Sequence, residues 1–139
     1  MSYAGDLSPQ EAWAKLQDGA LLVDVRTEAE WAHIGIPDTA SAGAQRNDPL
    51  FIQWNLAGGI PNTRFVEQLT LQAPAAGGTE LVFLCRSGAR SIAAAIAATE
   101  AGFTSYNVLE GFEGEPDSQG ERTVNGWKNR GLPSKAGKH

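Results

Sequence analysis

The sequence predicts a single α/β domain with a central, mostly parallel sheet and helices on both of its faces. Short apolar runs that do not alternate with polar residues are typical of strands covered on both sides, and Leu81–Leu84 is the clearest of them. Helix-capping residues follow several of these runs, so strands and helices alternate along the chain. Such alternation favours parallel strands joined by right-handed crossover connections.

The first helix is predicted to begin after Ser8. Ser8 and Glu11 have the spacing of a capping box, in which each side chain accepts a hydrogen bond from the other residue's backbone N–H. Pro9 stands at the first helical position, where its missing N–H is harmless. Gly19 is expected to end this helix, and residues 20–25, apolar except for Asp24 near their end, then form a buried strand.

A second capping box is predicted at Thr27 and Glu30. It opens a short helix over residues 28–33, which glycine and proline interrupt. Residues 39–42 are then expected to form a weak strand.

Two charged residues, Asp24 and Arg26, adjoin the end of the first apolar run. A buried carboxylate is far more often hydrogen-bonded than reactive. We therefore interpret Asp24 as a structural group that ties loops together and pairs with an arginine.

Residues 45–62 combine prolines and glycines with aromatic side chains, which indicates an irregular excursion with aromatic anchors rather than regular sheet. The sequence does not reveal what this excursion does. Asn62 is a favourable cap for a helix that reaches Leu71, and Leu81–Leu84 follows as the central strand.

A compact, alanine-rich helix is predicted from Ile92, with Gly102 as its C-terminal cap. Residues 105–109 read as another short strand. The glycine-rich and acidic residues 111–122 are a candidate lid, and residues 123–130 are predicted to form a last short helix.

The predicted domain spans residues 1–139, with its core at about residues 7–133. The polar residues 134–139 are expected to be a frayed tail. His139 is interpreted as a chain-end residue rather than a ligand.

The chain's one cysteine, Cys85, follows the central strand and precedes a helix. Ligands of parallel sheets bind beyond the carboxyl ends of the strands, where the backbone N–H groups of a tight turn can converge on an anion. Arg86, Arg90 and the helix N-terminus all favour the thiolate, and Gly88 permits a turn that a side chain would hinder. We therefore favour a reactive thiol over the alternative, a small buried hydrophobic residue.

Composition excludes several classes of function. A net charge of −5 disfavours a nucleic-acid binder that depends on phosphate neutralisation. One cysteine excludes an internal disulfide and a multi-cysteine zinc site, and two distant histidines make a metal site improbable. No secretion signal or membrane span is indicated, so a cytoplasmic protein is expected.

Three segments resemble the rhodanese-like sulfurtransferase domain, and the likeness covers about residues 7–133. The most specific segment is the cysteine loop. The segments are residues 22–26 with 30–34, residues 85–91, and residues 108–112 with 126–127 and 131–133.

The resemblance implies an active-site loop of six residues whose first residue, Cys85, accepts sulfane sulfur as a persulfide. Arg86 and Arg90 would hold anionic donors such as thiosulfate, and Arg90 would also close the loop. Backbone N–H groups of the loop would cradle the sulfur. The other residues of this substrate-binding loop are Ser87, Gly88, Ala89 and Ser91.

The resemblance also assigns roles outside the loop. Asp24 and Arg26 match the family's structural signature rather than its chemistry. Phe112 and Trp127 are candidate lid residues that decide which molecules reach the pocket.

Loop length separates this chain from related phosphatases, whose similar loop has five residues between cysteine and arginine. Four residues lie between Cys85 and Arg90, which suits a pocket for one sulfur atom. Phosphatase or arsenate chemistry is therefore disfavoured.

The resulting hypothesis is a thiosulfate sulfurtransferase that moves sulfane sulfur to a thiophilic acceptor, such as cyanide or a thiol, through a Cys85 persulfide. The alternative is a non-catalytic module that binds or senses sulfur or anions. Expected partners are small-molecule donors and acceptors, including a thiol or a thioredoxin-like reductant, with no nucleic acid and no membrane. No metal or organic cofactor is implied, and a monomer or weak homodimer is expected.

Overall fold

The computed structural model describes residues 2–43, 47–73 and 78–137. Its strands in chain order are β1 (Gly5–Leu7), β2 (Leu21–Asp24), β3 (Ile36–Pro37), β4 (Leu50–Phe51), β5 (Leu81–Leu84), β6 (Ser105–Val108) and β7 (Ser134–Lys135). Five of them form one sheet in the order β1-β6-β5-β2-β4, and all neighbours run parallel. β3 and β7 pair antiparallel in a small second sheet. The predicted α/β class is confirmed.

The first two helices begin where the sequence predicts. Both expected capping boxes are present, one between Ser8 and Glu11 and the other between Thr27 and Glu30. Each box satisfies N–H groups that the first helical turn would otherwise leave without a partner. The helices in chain order are α1 (Pro9–Gln17), α2 (Glu28–Ile34), α3 (Phe65–Gln72) and α4 (Ala89–Glu100).

The other two helices differ from expectation at their first residues. α3 begins after Arg64, and Asn62 instead accepts a hydrogen bond from the Arg64 N–H at 3.1 Å. α4 begins at Ala89 rather than Ile92, so that Gly88 is its N-terminal cap. The cysteine loop is consequently short and is joined directly to the first turn of α4.

Alternating side chains of the sheet face two apolar clusters, one on each side. On one side, α3 and α4 cover the sheet through Phe65, Leu69, Ala94, Ala95 and Ala98. On the other side, α1 and the segment after β6 cover it through Ala12, Leu16, Phe112 and Trp127. β5 is buried along its whole length, as its continuous apolar sequence predicts, and so is β2, although its last residue is Asp24.

Residues 39–42 form a turn rather than the predicted weak strand. The Asp38 carboxylate accepts a hydrogen bond from the Ala40 N–H at 3.0 Å, and the Ala42 N–H donates to the Thr39 carbonyl at 3.0 Å. An aspartate that bonds to the backbone two residues later favours a turn over a strand. The extended backbone lies just before, in β3.

Residues 123–130 consist of turns rather than the predicted helix. Gly126 has a φ of 98°, and a Cβ at this position would lie 2.5 Å from the Gly114 nitrogen. The Asn129 side chain donates to the carbonyls of Asn125 and Glu113 at 2.9 and 3.1 Å. This close approach of two backbone segments interrupts the helical pattern, of which a single bond from the Arg130 N–H to the Gly126 carbonyl at 2.9 Å is present.

The start of the predicted tail is ordered, which corrects the expectation of a frayed end. β7 pairs with β3, and Gly137 lies so close to the Trp31 carbonyl that a Cβ at this position would overlap with its oxygen. His139 lies outside the described residues, as do residues 45–46 at the start of the predicted excursion.

The described part of that excursion contributes β4 to the sheet edge and a single 3₁₀ turn, Ala57–Gly59. Its aromatic side chains do anchor it: Trp54 packs edge-on against Phe65 at 5.0 Å between ring centroids. Within the described residues, no helix is long and apolar enough to cross a bilayer.

Candidate functional site

Cys85 lies at the carboxyl end of β5, the middle strand of the sheet. Its backbone carbonyl accepts a hydrogen bond from the Phe112 N–H at 2.8 Å. This bond attaches the cysteine loop to the segment that follows β6. The sequence therefore places the thiol at the edge of the sheet where parallel-sheet proteins bind their ligands.

Two groups contact the Cys85 sulfur. The Gly88 N–H donates to Sγ at 3.1 Å, and the Ser91 Oγ lies 3.2 Å from Sγ. Gly88 has a φ of 114°, and a Cβ there would lie 2.5 Å from the Leu109 carbonyl oxygen. Glycine is thus required at position 88 both by its backbone angle and by its neighbour.

The Ser91 hydroxyl belongs to a hydrogen-bond chain that leads to the edge of the sheet. Ser91 Oγ donates to Asn107 Oδ1 at 2.5 Å, and Asn107 Nδ2 donates to Asp6 Oδ1 at 3.0 Å. A carboxylate can only accept, so Asp6 fixes the orientation of the Asn107 amide. Because the one hydroxyl hydrogen is used by Asn107, Ser91 presents an oxygen lone pair to Cys85 and accepts from its thiol.

Arg90 is held by Glu30 in a bidentate ion pair. The Nη atoms of Arg90 lie 2.7 and 2.9 Å from the two carboxylate oxygens of Glu30. The Thr27 N–H and hydroxyl each donate to the same carboxylate at 3.1 Å. Glu30 therefore has two roles, since it caps α2 and fixes a side chain of the cysteine loop.

Electrostatics keep this pair ionised. Burial raises the pKa of Glu30, but the hydrogen bonds from Arg90 and Thr27 and the charge of Arg90 outweigh it and lower the pKa to about 2. The bond to Glu30 likewise raises the pKa of Arg90 above its ordinary value. The two side chains are 19% and 22% exposed, so solvent screens them only partly.

A cavity of about 610 Å³ opens beside the loop. Its walls are α2 and its N-terminal cap on one side, and the excursion on the other. Arg86, Arg90, residues 27–30, residue 53 and residues 55–59 line it. Cys85 is 1% exposed and does not itself line this cavity, whereas the next residue, Arg86, does.

Arg86 is exposed, and its side chain makes no ion pair or hydrogen bond with any other described residue. Its backbone carbonyl, in contrast, accepts from the N–H groups of Glu113 and Gly114 at 3.0 and 3.1 Å. The Arg86 backbone is fixed while its guanidinium remains available to a ligand.

Asp24 and Arg26 form the expected structural pair, and both side chains are fully buried. Arg26 donates to both carboxylate oxygens of Asp24 and, through Nη2, to the Gly35 carbonyl at 2.9 Å. Its guanidinium carbon lies 4.2 Å from the centre of the Phe112 ring. The pair connects β2, the end of α2 and the segment after β6 beneath the site.

Phe112 and Trp127 do not form the predicted lid. They are 1% and 0% exposed and belong to the apolar cluster beside α1. Trp127 packs edge-on against Trp13, and its indole N–H donates to the Pro133 carbonyl at 2.7 Å. Both rings are buried because they fill the core beneath the loop.

Residues 111–122, the other predicted lid segment, do not line the cavity either. A Cβ at Gly111 would lie 2.5 Å from the carbonyl carbon of Arg86. The start of this segment therefore lies against the loop backbone, and most of residues 115–122 are exposed.

The structure brings the predicted residues Cys85, Arg86, Gly88, Arg90 and Ser91 together and adds three that sequence reasoning missed. Asn107 contacts Ser91, and Asp6 contacts Asn107 in turn. Glu30 contacts Arg90. An asparagine within the predicted short strand of residues 105–109 was a signal for the first. Glu30 was recognised as a helix cap and as part of a segment that resembles the family, but not as the partner of Arg90.

Comparison with known proteins gives a consistent result. A sequence model of the rhodanese-like domain matches residues 8–114. The "Uncharacterized protein RP600 homolog" of Rickettsia rickettsii is 37% identical over 117 residues, which cover 84% of this chain and 83% of that protein. "Uncharacterized protein RC0915" of Rickettsia conorii is 36% identical over the same shares.

A solved structure extends the similarity to nearly the whole chain. The crystal structure of Rv0390 from M. tuberculosis superimposes with a TM-score of 0.89 at 47% sequence identity. The match covers 98% of this chain and 100% of that one.

Proposed function

The chain belongs to the rhodanese-like domain family, and from that premise we propose that it is a sulfurtransferase in which Cys85 carries sulfane sulfur as a persulfide. Membership of the family supports a sulfurtransferase-like or sulfur-binding role. The observation that carries the proposal further is the setting of the Cys85 sulfur. It lies at the first turn of α4, accepts a hydrogen bond from the Gly88 N–H and interacts electrostatically with Arg90.

In the first half-reaction, the Cys85 thiolate attacks the outer sulfur of a donor such as thiosulfate. An S–S bond forms to Cys85, the donor's own S–S bond breaks, and sulfite leaves with the bonding electron pair. The thiol must first give its proton to a base in solution, because Ser91 Oγ can accept the thiol's hydrogen bond but keeps its own hydrogen, which it donates to Asn107. The Gly88 N–H then donates a hydrogen bond to the negatively charged sulfur of Cys85.

In the second half-reaction, a thiophilic acceptor such as cyanide or a thiol attacks the outer sulfur of the persulfide. The new bond forms between acceptor and sulfur, and Cys85 leaves as a thiolate. Cys85 is the only cysteine of the chain, so the persulfide must be discharged by an external molecule, such as a small thiol or a thioredoxin-like reductant.

A non-catalytic sulfur- or anion-binding module is the second candidate, because two observations favour it. Cys85 is 1% exposed, and the Arg90 fork already holds Glu30. In such a module the thiol could bind sulfur without passing it on.

Mass spectrometry of the intact protein separates the two. Incubation with thiosulfate should add about 32 Da, the mass of one sulfur atom, and cyanide should remove it with release of thiocyanate. Cys85→Ser must abolish both changes. Sulfur that is bound but not released to any acceptor would support the binding module, and turnover by Cys85→Ser would refute the persulfide mechanism.

A further inference from the structure

A hydrogen-bond chain connects the exposed residue Asp6 with the Cys85 sulfur. Asp6 and Asn107 are register partners in the neighbouring strands β1 and β6, so their side chains stand on the same face of the sheet. Asn107 and Ser91 are fully buried, and Cys85 is 1% exposed. The chain is therefore shielded from water except at its Asp6 end.

Asp6 determines the direction in which the hydrogens of this chain point. An ionised carboxylate has no hydrogen to donate, so Asp6 Oδ1 accepts from Asn107 Nδ2 at 3.0 Å. That contact turns Asn107 Oδ1 towards Ser91, whose hydroxyl donates to it at 2.5 Å. A hydroxyl has a single hydrogen, so Ser91 offers only an oxygen lone pair to the Cys85 sulfur at 3.2 Å.

A second donor to the same Asp6 oxygen supports this direction. The Tyr3 hydroxyl donates to Asp6 Oδ1 at 2.7 Å. The hydrogen bond to Asp6 raises the pKa of Tyr3, so the phenol keeps its proton at neutral pH. Asp6 Oδ1 thus accepts hydrogen bonds from two sides.

The chain in this direction favours a hydrogen on the Cys85 sulfur. A thiol can donate to the Ser91 lone pair, whereas a thiolate would face that lone pair with its own negative charge. If Ser91 turned its hydroxyl to the thiolate instead, Asn107 Oδ1 would lose its donor in a fully buried position. A buried acceptor without a partner costs free energy. Rotation of the Asn107 amide would not help, because Oδ1 would then face the Asp6 carboxylate.

We propose that Asp6 is a positioning residue that keeps the resting Cys85 thiol protonated and so restrains its reactivity. It acts through Asn107 and Ser91 and does not itself contact the sulfur. The restraint ends when the thiol proton passes to a base in solution. What this means for sulfur transfer rests on the proposed function: Asp6 slows the formation of the attacking thiolate.

Asp6→Asn permits the opposite direction. An asparagine side chain at position 6 can donate to Asn107 Oδ1, and Asn107 Nδ2 can then donate to Ser91 Oγ. The Ser91 hydroxyl is left to donate to the Cys85 thiolate, and every buried group of the reversed chain has a partner. Two variants serve as controls. Asp6→Glu keeps a carboxylate that can only accept, and Tyr3→Phe removes one bond to Asp6 without changing its accepting role.

The measurement is the rate of Cys85 alkylation by iodoacetamide at pH 7, divided by the rate at pH 10. A thiol is largely ionised at the higher pH. The quotient therefore follows the ionised fraction at pH 7, and a change in access to the buried sulfur cancels. Asp6→Asn should raise it about tenfold, roughly the worth of one hydrogen bond to a charged group. Asp6→Glu and Tyr3→Phe should leave it close to the wild-type value.

A double-mutant cycle separates the chain from the loss of one negative charge. Removal of the Asp6 charge would also favour a thiolate through space. Ser91→Ala breaks the chain and leaves that charge in place, so Asp6→Asn in the Ser91→Ala background should change the quotient little. An equal rise in both backgrounds would assign the effect to charge alone and refute the positioning role.

The outcomes separate this inference from the proposed function, because alkylation does not require sulfur transfer. If thiosulfate adds no sulfur to Cys85 but Asp6→Asn raises the quotient as expected, the sulfurtransferase proposal fails and the restraint by Asp6 stands. If both hold, Asp6→Asn should also form the persulfide faster than the wild type at pH 7. If sulfur is transferred and Asp6→Asn leaves the quotient unchanged, the function stands and the role of Asp6 is refuted.

Discussion

The Glu30–Arg90 ion pair makes the stability of the fold depend on pH in a defined range. The pKa of Glu30 is about 2 in the folded protein, against an ordinary value of 4.5. At about 1.4 kcal/mol for each tenfold change in the dissociation constant, this difference is worth about 3 kcal/mol of folding free energy at neutral pH. Partial exposure of the Glu30 side chain, 19%, reduces the expected value to about 2 kcal/mol through solvent screening.

The sign follows from a pKa that folding lowers. The contribution is fully present above the unfolded value of 4.5 and is lost as the pH falls towards 2. More than half of it should disappear between about pH 5 and pH 3. Glu30→Gln cannot titrate, so its stability lacks this pH-dependent part.

Urea denaturation followed by tryptophan fluorescence measures the effect, since the chain has four tryptophans. The free energy of unfolding of the wild type should exceed that of Glu30→Gln by about 2 kcal/mol at pH 7, and the gap should narrow steadily below pH 5. Glu67→Gln, which alters an exposed pair, should show little of either effect. A gap of equal size at pH 7 and pH 3 would refute the assignment of a low pKa to Glu30.

Three further predictions follow from buried contacts. Asp24→Ala should cost about 3–5 kcal/mol in urea unfolding, because it leaves the Arg26 cation buried without its partner, and the added change Arg26→Met should recover part of that loss. Gly88→Ala should abolish sulfur transfer and lower the melting temperature, because the added Cβ would overlap with the Leu109 carbonyl oxygen. The control is Gly59→Ala, at a residue that also has a positive φ but has open space around it, and it should lower only the melting temperature, and by less. Asn107→Leu should free the Ser91 hydroxyl to donate a hydrogen bond to the Cys85 sulfur, and should therefore raise the rate of Cys85 alkylation by iodoacetamide at pH 7 several-fold. An alkylation rate equal to or below that of the wild type would argue against the hydrogen-bond chain.

Local patterns in the sequence were sufficient for much of the fold. The capping boxes of α1 and α2 and the apolar run of β5 depend on residues a few positions apart, so the chain itself displays them. The cysteine loop is equally local, since Cys85 to Ser91 are contiguous.

Contacts between distant residues were not predictable in this way. Glu30 and Arg90 are 60 positions apart, and the glutamate's spacing from Thr27 had already accounted for it as a cap. The lid assigned to Phe112 and Trp127 failed because an aromatic residue beside a glycine-rich segment can cover a pocket or fill a core. Which of these two roles an aromatic residue takes depends on its packing against the sheet, and in this fold both rings are buried.

Short strands were missed for a related reason. β1 and β7 contain glycine, charged or small polar residues, which have low intrinsic preference for extended structure. Their conformation depends on partners far along the chain, β6 and β3.

The pairing of β3 with β7 also has a consequence for the order of folding. β3 directly follows α2, and its partner is synthesised only after the whole parallel sheet. Closing so long a loop carries an entropic cost that earlier contacts do not. α2, which carries Glu30, therefore gains the support of the β3–β7 pair late in folding. The cysteine loop can form before this support fixes the Glu30 carboxylate that holds Arg90.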